Sequence, residues 1–115
     1  MESIVKQQQT YFQEGHTKSV PFRKDALKRL KKIFKQHEGQ CFAALEADFQ
    51  KPAFETYETE LLMIYQEIDH MLAHMDKWVK PTKLRGSIIN FPSKNYVYSQ
   101  PYGVSLVIGA WNYPL

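Results

Sequence analysis

Val104-Ser105-Leu106-Val107-Ile108 runs directly into Gly109-Ala110-Trp111-Asn112-Tyr113-Pro114. The first five residues are apolar on both faces rather than alternating, which is how a strand reads when a parallel sheet is covered by helices on both sides. Such a strand belongs inside a larger α/β domain. Only seven residues follow Ile108, too few for the crossover helix and second strand that a parallel sheet demands. The chain is therefore expected to be the first piece of a longer protein.

Upstream of that strand the pattern is β-like and punctuated by Gly, Pro and Asn. Ser87-Ile88-Ile89-Asn90-Phe91 and Tyr96-Val97-Tyr98-Ser99-Gln100 flank Pro92-Ser93-Lys94-Asn95, which predicts two antiparallel strands joined by a four-residue loop. A two-stranded ribbon is marginal by itself, so it is expected to pack or pair with something outside this chain. Tyr96 and Tyr98 lie on one side of it, in position to pack against a partner subunit.

Further upstream the apolar period is helical. Ile4, Val5, Tyr11 and Phe12 mark a first amphipathic helix that Gly15 can stop. Pro21 opens a second, with Phe22, Ala26, Leu30, Ile33, Phe34, His37 and Cys41 on one buried stripe and the basic residues opposite. Gly39 weakens or interrupts that stripe, and Phe42, Leu45 and Phe49 carry it on towards Gln50. After Lys51-Pro52 a long helical face runs through Phe54, Tyr57, Leu61, Ile64, Tyr65, Ile68, Leu72, Met75 and Val79 to Pro81.

Composition narrows the class. The 115 residues are 43% hydrophobic, 23% charged and 14% aromatic, which places the chain among globular proteins and away from disordered ones. No apolar run approaches the roughly 20 residues needed to span a bilayer. The start, Met1-Glu2-Ser3-Ile4-Val5-Lys6-Gln7, has neither the basic nor the apolar region of a secretory signal, so a cytoplasmic location is expected. A single cysteine, Cys41, forms no internal disulfide and by itself no structural zinc site.

The net charge of +3 hides two opposed blocks. Residues 18–35 hold eight Lys or Arg against one acid, a net of +7, and residues 38–69 hold eight acids against Lys51, a net of −7. The two blocks attract each other. An exposed basic helix also fits a nucleic-acid binder, though an equal acidic block beside it repels the same phosphates.

In open α/β sheets, ligands bind beyond the carboxyl ends of the strands. Residues 109–114 occupy that place: Gly109 and Ala110 leave room at the backbone, Trp111 offers a flat apolar wall, and the Asn112 amide supplies N–H donors without a charge. A neutral donor suits a developing oxyanion, although Asn in a post-strand loop also serves as a turn or cap residue. His70 and His74 share a helix face at zinc-binding spacing but lack a third ligand, and read as solvated. The acids from Glu55 to Glu60 read as a solvated face. No metal is expected.

The wording of residues 100–114, Gln-Pro-Tyr-Gly-Val-Ser-Leu-Val-Ile-Gly-Ala-Trp-Asn-Tyr-Pro, resembles the "P-x-G-V…W-N-[YF]-P" signature of the aldehyde dehydrogenase superfamily. Ala47-Asp48-Phe49-Gln50-Lys51-Pro52, Phe54-Glu55, Glu60-Leu61, Glu67-Ile68-Asp69 and Trp78-Val79 look like its class 3 branch, which takes fatty or aromatic aldehydes. The resemblance covers essentially the whole chain. It implies an α/β fold, an incomplete one here. Residues 1–81 would be the helical part of the cofactor domain, 82–101 a two-stranded oligomerisation ribbon, and 102–115 the first strand and active-site loop of the doubly wound, Rossmann-like sheet.

The resemblance further implies NAD- or NADP-dependent oxidation of an aldehyde to a carboxylate through a thioester on cysteine. Asn112 would contribute its amide to the oxyanion hole, Ile108, Gly109, Ala110 and Trp111 would lie beside the nicotinamide, and Tyr113 would line the substrate side. The nucleophilic cysteine and the general-base glutamate of the family lie downstream of this motif, in settings this sequence does not contain. Cys41, in Gly39-Gln40-Cys41-Phe42 on a helix stripe, reads as a small core residue. The chain alone is thus expected to be inactive, and the whole protein a homodimer with an aldehyde substrate and no nucleic-acid partner. The competing reading is a small basic helical module that binds another protein or nucleic acid through residues 18–35.

Overall fold

The computed structural model describes residues 2–115, with the side chain of Asn90 outside the description. A short helix α1 (Glu2–Gln13) is followed by the 30-residue helix α2 (Val20–Phe49). Ser19 caps α2, its hydroxyl accepting from the Phe22 N–H at 3.2 Å, and Pro21 sits in the first turn where no N–H is required. Gly39 does not break the helix. It ends at Gln50, which adopts a left-handed conformation (φ 54°), and the N–H groups of Gln50 and Lys51 close back on the Glu46 and Leu45 carbonyls.

Pro52 then starts a second long helix in three parts: α3 (Ala53–Thr56), a π-helical segment (Tyr57–Leu61) and α4 (Leu62–Trp78). The Leu62 N–H bonds to the Tyr57 carbonyl, five residues back. That wider turn sets Thr56 and Leu61, five apart, on one buried line with Tyr65, Ile68 and Met75, where an unbroken α-helix would carry Thr56 off the face.

α2 and α4 run antiparallel. Lys24 pairs with Asp76, Lys31 with Asp69, and the Tyr65 hydroxyl donates to Glu38, so positions rising along α2 meet positions falling along α4. Lys31–Asp69 joins the two charge blocks as their opposition predicts. The core between the helices is small: Leu45, Leu61, Tyr65, Ile68 and Met75 are buried. The expected stripe of α2 is only partly covered. Leu30 and Ile33 are exposed, as are Phe54 and Tyr57 at the start of the second helix, because each long helix has one neighbour and a single line of contact.

The ribbon is present, but its first strand is not the expected one, and its second covers Asn95–Val97 where Tyr96–Gln100 was expected. β1 (Thr82–Leu84) pairs antiparallel with β2 (Asn95–Val97), with Lys83 opposite Tyr96. Ser87 through Phe91 instead forms a 3₁₀ turn over Ile88–Asn90, in which the Ser87 hydroxyl accepts from the Ile89 N–H and the Phe91 N–H reaches the Ile88 carbonyl. Those local bonds use the donors that a strand would offer, and Pro92 supplies none. Tyr96 and Tyr98 do stand side by side, ring centroids 6.4 Å apart, both exposed.

Residues 104–108 form no ladder with any described residue, and Leu106, Val107 and Ile108 are exposed. α1 touches this segment through Phe12, whose ring lies against Gly103. The radius of gyration is 19.8 Å, against about 13 Å for a compact domain of this length. None of the described helices is long and apolar enough to cross a membrane.

Candidate functional site

The loop after the apolar run folds back on the corner between α2 and α3. The Tyr113 N–H meets the Ala110 carbonyl at 3.4 Å, closing a turn over residues 110–113 that carries Trp111 and Asn112 at its centre. The two sides of the loop differ. Asn112 and Tyr113, exposed themselves, border a cavity of about 240 Å³ together with Phe49, Gln50, Pro52 and Glu55, whereas Ile108 and Trp111 border none of it and are more than three-quarters exposed.

A buried ion pair lies at the base of that cavity. Lys51 Nζ is 2.6 Å from Glu60 Oε1, and the second carboxylate oxygen accepts the Leu115 N–H at 3.0 Å. The same ammonium stands 4.7 Å from the centroid of the Tyr113 ring, within cation–π range. Lys51 is delivered by the left-handed end of α2 and Glu60 by the π-helical turn, so two departures from regular helix geometry bring the pair together.

Glu60 corrects the expectation of a solvated acidic face. Glu55 and Glu58 are exposed as expected, but Glu60 points inward and is fully engaged. Neither Lys51 nor Glu60 is legible as a site residue from sequence. The one local signal is Lys51-Pro52, which marks the chain reversal.

Of the residues singled out from sequence, Asn112 and Tyr113 meet at the cavity, while Ile108, Gly109, Ala110 and Trp111 form an uncharged outward strip. A Cβ placed on Gly109 would meet nothing within 4 Å, so this backbone is open to a flat ligand. Cys41 is half-buried on α2 near Tyr65, on the helix interface and not in the loop cavity. Burial, and then the hydrogen bond to Glu38, hold the Tyr65 phenol well above the ordinary tyrosine range. The His70 and His74 rings lie 4.2 Å apart, tilted to each other, both lie against Trp78, and the His74 ring bonds the His70 carbonyl. That packing accounts for both rings.

The profile described as "Aldehyde dehydrogenase family" matches residues 1–115. The chain is 38% identical over 113 residues to an "Aldehyde dehydrogenase" of Craterostigma plantagineum, covering 98% of this chain and 24% of that protein. It is 33% identical over 114 residues to "Aldehyde dehydrogenase family 3 member A2" of Pongo abelii, covering 99% and 24%. It is 37% identical over 110 residues to a "4,4'-diapolycopene-4,4'-dial dehydrogenase" of Cytobacillus firmus, covering 96% and 24%. The chain thus spans about a quarter of the length of the curated relatives it matches.

Proposed function

We propose, since this chain belongs to the aldehyde dehydrogenase family and has family 3 members among its relatives, that the whole protein oxidises an aldehyde to the carboxylate with NAD or NADP. The observation that carries this reading is the turn over residues 110–113, which holds an uncharged amide donor, Asn112, beside an anchored aromatic ring.

Asn112 donates an amide N–H to the aldehyde oxygen as a cysteine thiolate adds to the carbonyl carbon and the oxygen gains negative charge. A neutral donor held in place beforehand stabilises that charge without having to reorganise as it forms. Tyr113 borders the substrate. The exposed, uncharged strip of Ile108 and Trp111 and the uncrowded backbone at Gly109 fit the flat face of a nicotinamide ring. A nicotinamide cofactor held against Ile108, Gly109, Ala110 and Trp111 would supply the acceptor for the hydride that leaves the aldehyde carbon. The thiolate and the base that activates water for thioester hydrolysis come from other parts of the protein.

Residues 1–81, 82–101 and 102–115 act as helical cover, oligomerisation ribbon and first sheet strand with its loop. A homodimer, a cytoplasmic location and a fatty or aromatic aldehyde complete the reading. Part of the basic face is already spent on Asp76 and Asp69, which supports a protein without a nucleic-acid partner. The test is Asn112→Ala in the whole protein. Turnover falls by on the order of 10²–10³ while cofactor affinity is kept, and unchanged turnover overturns the oxyanion role.

A further inference from the structure

We propose that Glu60 is a positioning residue for Asn112, acting through Lys51 and the backbone of the loop. The inference rests on the oxyanion reading of Asn112. The two oxygens of the Glu60 carboxylate have different partners. Oε1 holds Lys51 Nζ at 2.6 Å, and Oε2 holds the Leu115 N–H at 3.0 Å. Lys51 in turn stands under the ring of Tyr113, the residue that follows Asn112. One buried carboxylate therefore fixes the loop at two points just beyond the asparagine, while the bond from the Tyr113 N–H to the Ala110 carbonyl fixes its turn.

The arrangement is poorly explained as a device for stability. Burying a carboxylate and an ammonium costs desolvation that their attraction repays only with good geometry, and apolar replacements of the same volume often do as well. Such a pair earns its place more readily by fixing a single geometry. An oxyanion donor needs that, because it works only within about 2.7–3.1 Å of the oxygen it serves. The π-helical turn points the same way, since it lets Glu60 face inward one position before Leu61 while the rest of α4 keeps its register against α2.

The experiment compares Glu60→Ala, Glu60→Gln, Asn112→Ala and the double variants in the whole protein. Glu60→Ala lowers kcat by on the order of 10²-fold, the scale of a displaced reacting group, with cofactor affinity kept. Glu60→Gln recovers part of the loss, because its carboxamide oxygen still accepts the Leu115 N–H. In the Asn112→Ala background neither Glu60 substitution lowers kcat further, a result that a general loss of structure does not give. If Glu60→Ala does not fold, Glu60→Gln carries the same comparison. Losses that multiply in the double variants, or an unchanged kcat in both Glu60 variants, overturn this inference alone. Full turnover in Asn112→Ala overturns the oxyanion reading and this inference with it.

Discussion

Lys51 and Glu60, nine residues apart in the chain, meet at 2.6 Å with side chains only 10% and 1% exposed. At that depth neither charge keeps its hydration, so each depends on the other.

Removing one partner should therefore be far worse than removing both. Glu60→Ala leaves the ammonium buried and unpaired, and costs about 3–5 kcal/mol. Lys51→Met combined with Glu60→Leu restores most of that stability, leaving the Leu115 N–H as the one group without its acceptor. Urea unfolding midpoints check the comparison. Equal losses in the single and double variants would contradict the dependence of each charge on the other.

Tyr65 makes stability sensitive to alkali. Its phenol is neutral when protonated, and burial followed by the Glu38 hydrogen bond raises its folded pKa above the unfolded value. Its contribution is thus complete below the ordinary tyrosine pKa of about 10 and is lost as pH rises from there through the folded value. Tyr65→Phe lowers stability by about 1–2 kcal/mol at neutral pH and removes this part of the alkaline decline. Unfolding midpoints measured across rising pH read both effects.

Gly103 has a φ of +99°, and a Cβ there would lie 3.3 Å from the Phe12 ring. Gly103→Ala should destabilise by about 1–2 kcal/mol, from the left-handed backbone that an L side chain resists and from the crowded ring. Adding Phe12→Ala relieves the crowding and leaves the backbone cost. A Gly103→Ala protein as stable as the parent would mean that α1 does not hold the chain at this point.

Much of the helical architecture was legible because its signals are local. Pro21 opens α2, Lys51-Pro52 marks the reversal, and the apolar recurrence from Leu61 to Met75 marks α4. The ribbon was misread where a stronger local competitor won. Ile88 and Ile89 favour a strand, but the Ser87 cap and Pro92 favour a turn, and Thr82–Leu84, with little apolar patterning, took the pairing. Asn112 was legible through the wording of its motif. Glu60 was not, because an acid between Thr59 and Leu61 reads as solvent-facing, and its partner lies across a reversal that only three dimensions bring close.

The π-helical turn works like a slipped tooth between two gears. With one residue too many for a regular coil, it lets the stretch below it answer to the loop corner while the stretch above stays meshed with α2. Straightening the slip into regular α-helix with every residue kept would rotate Thr56 and all that precedes it in this helix by roughly 100° relative to α4. The seat for the loop would then swing out of line, whereas deleting Thr59 leaves Thr56 and Leu61 four apart and on one face.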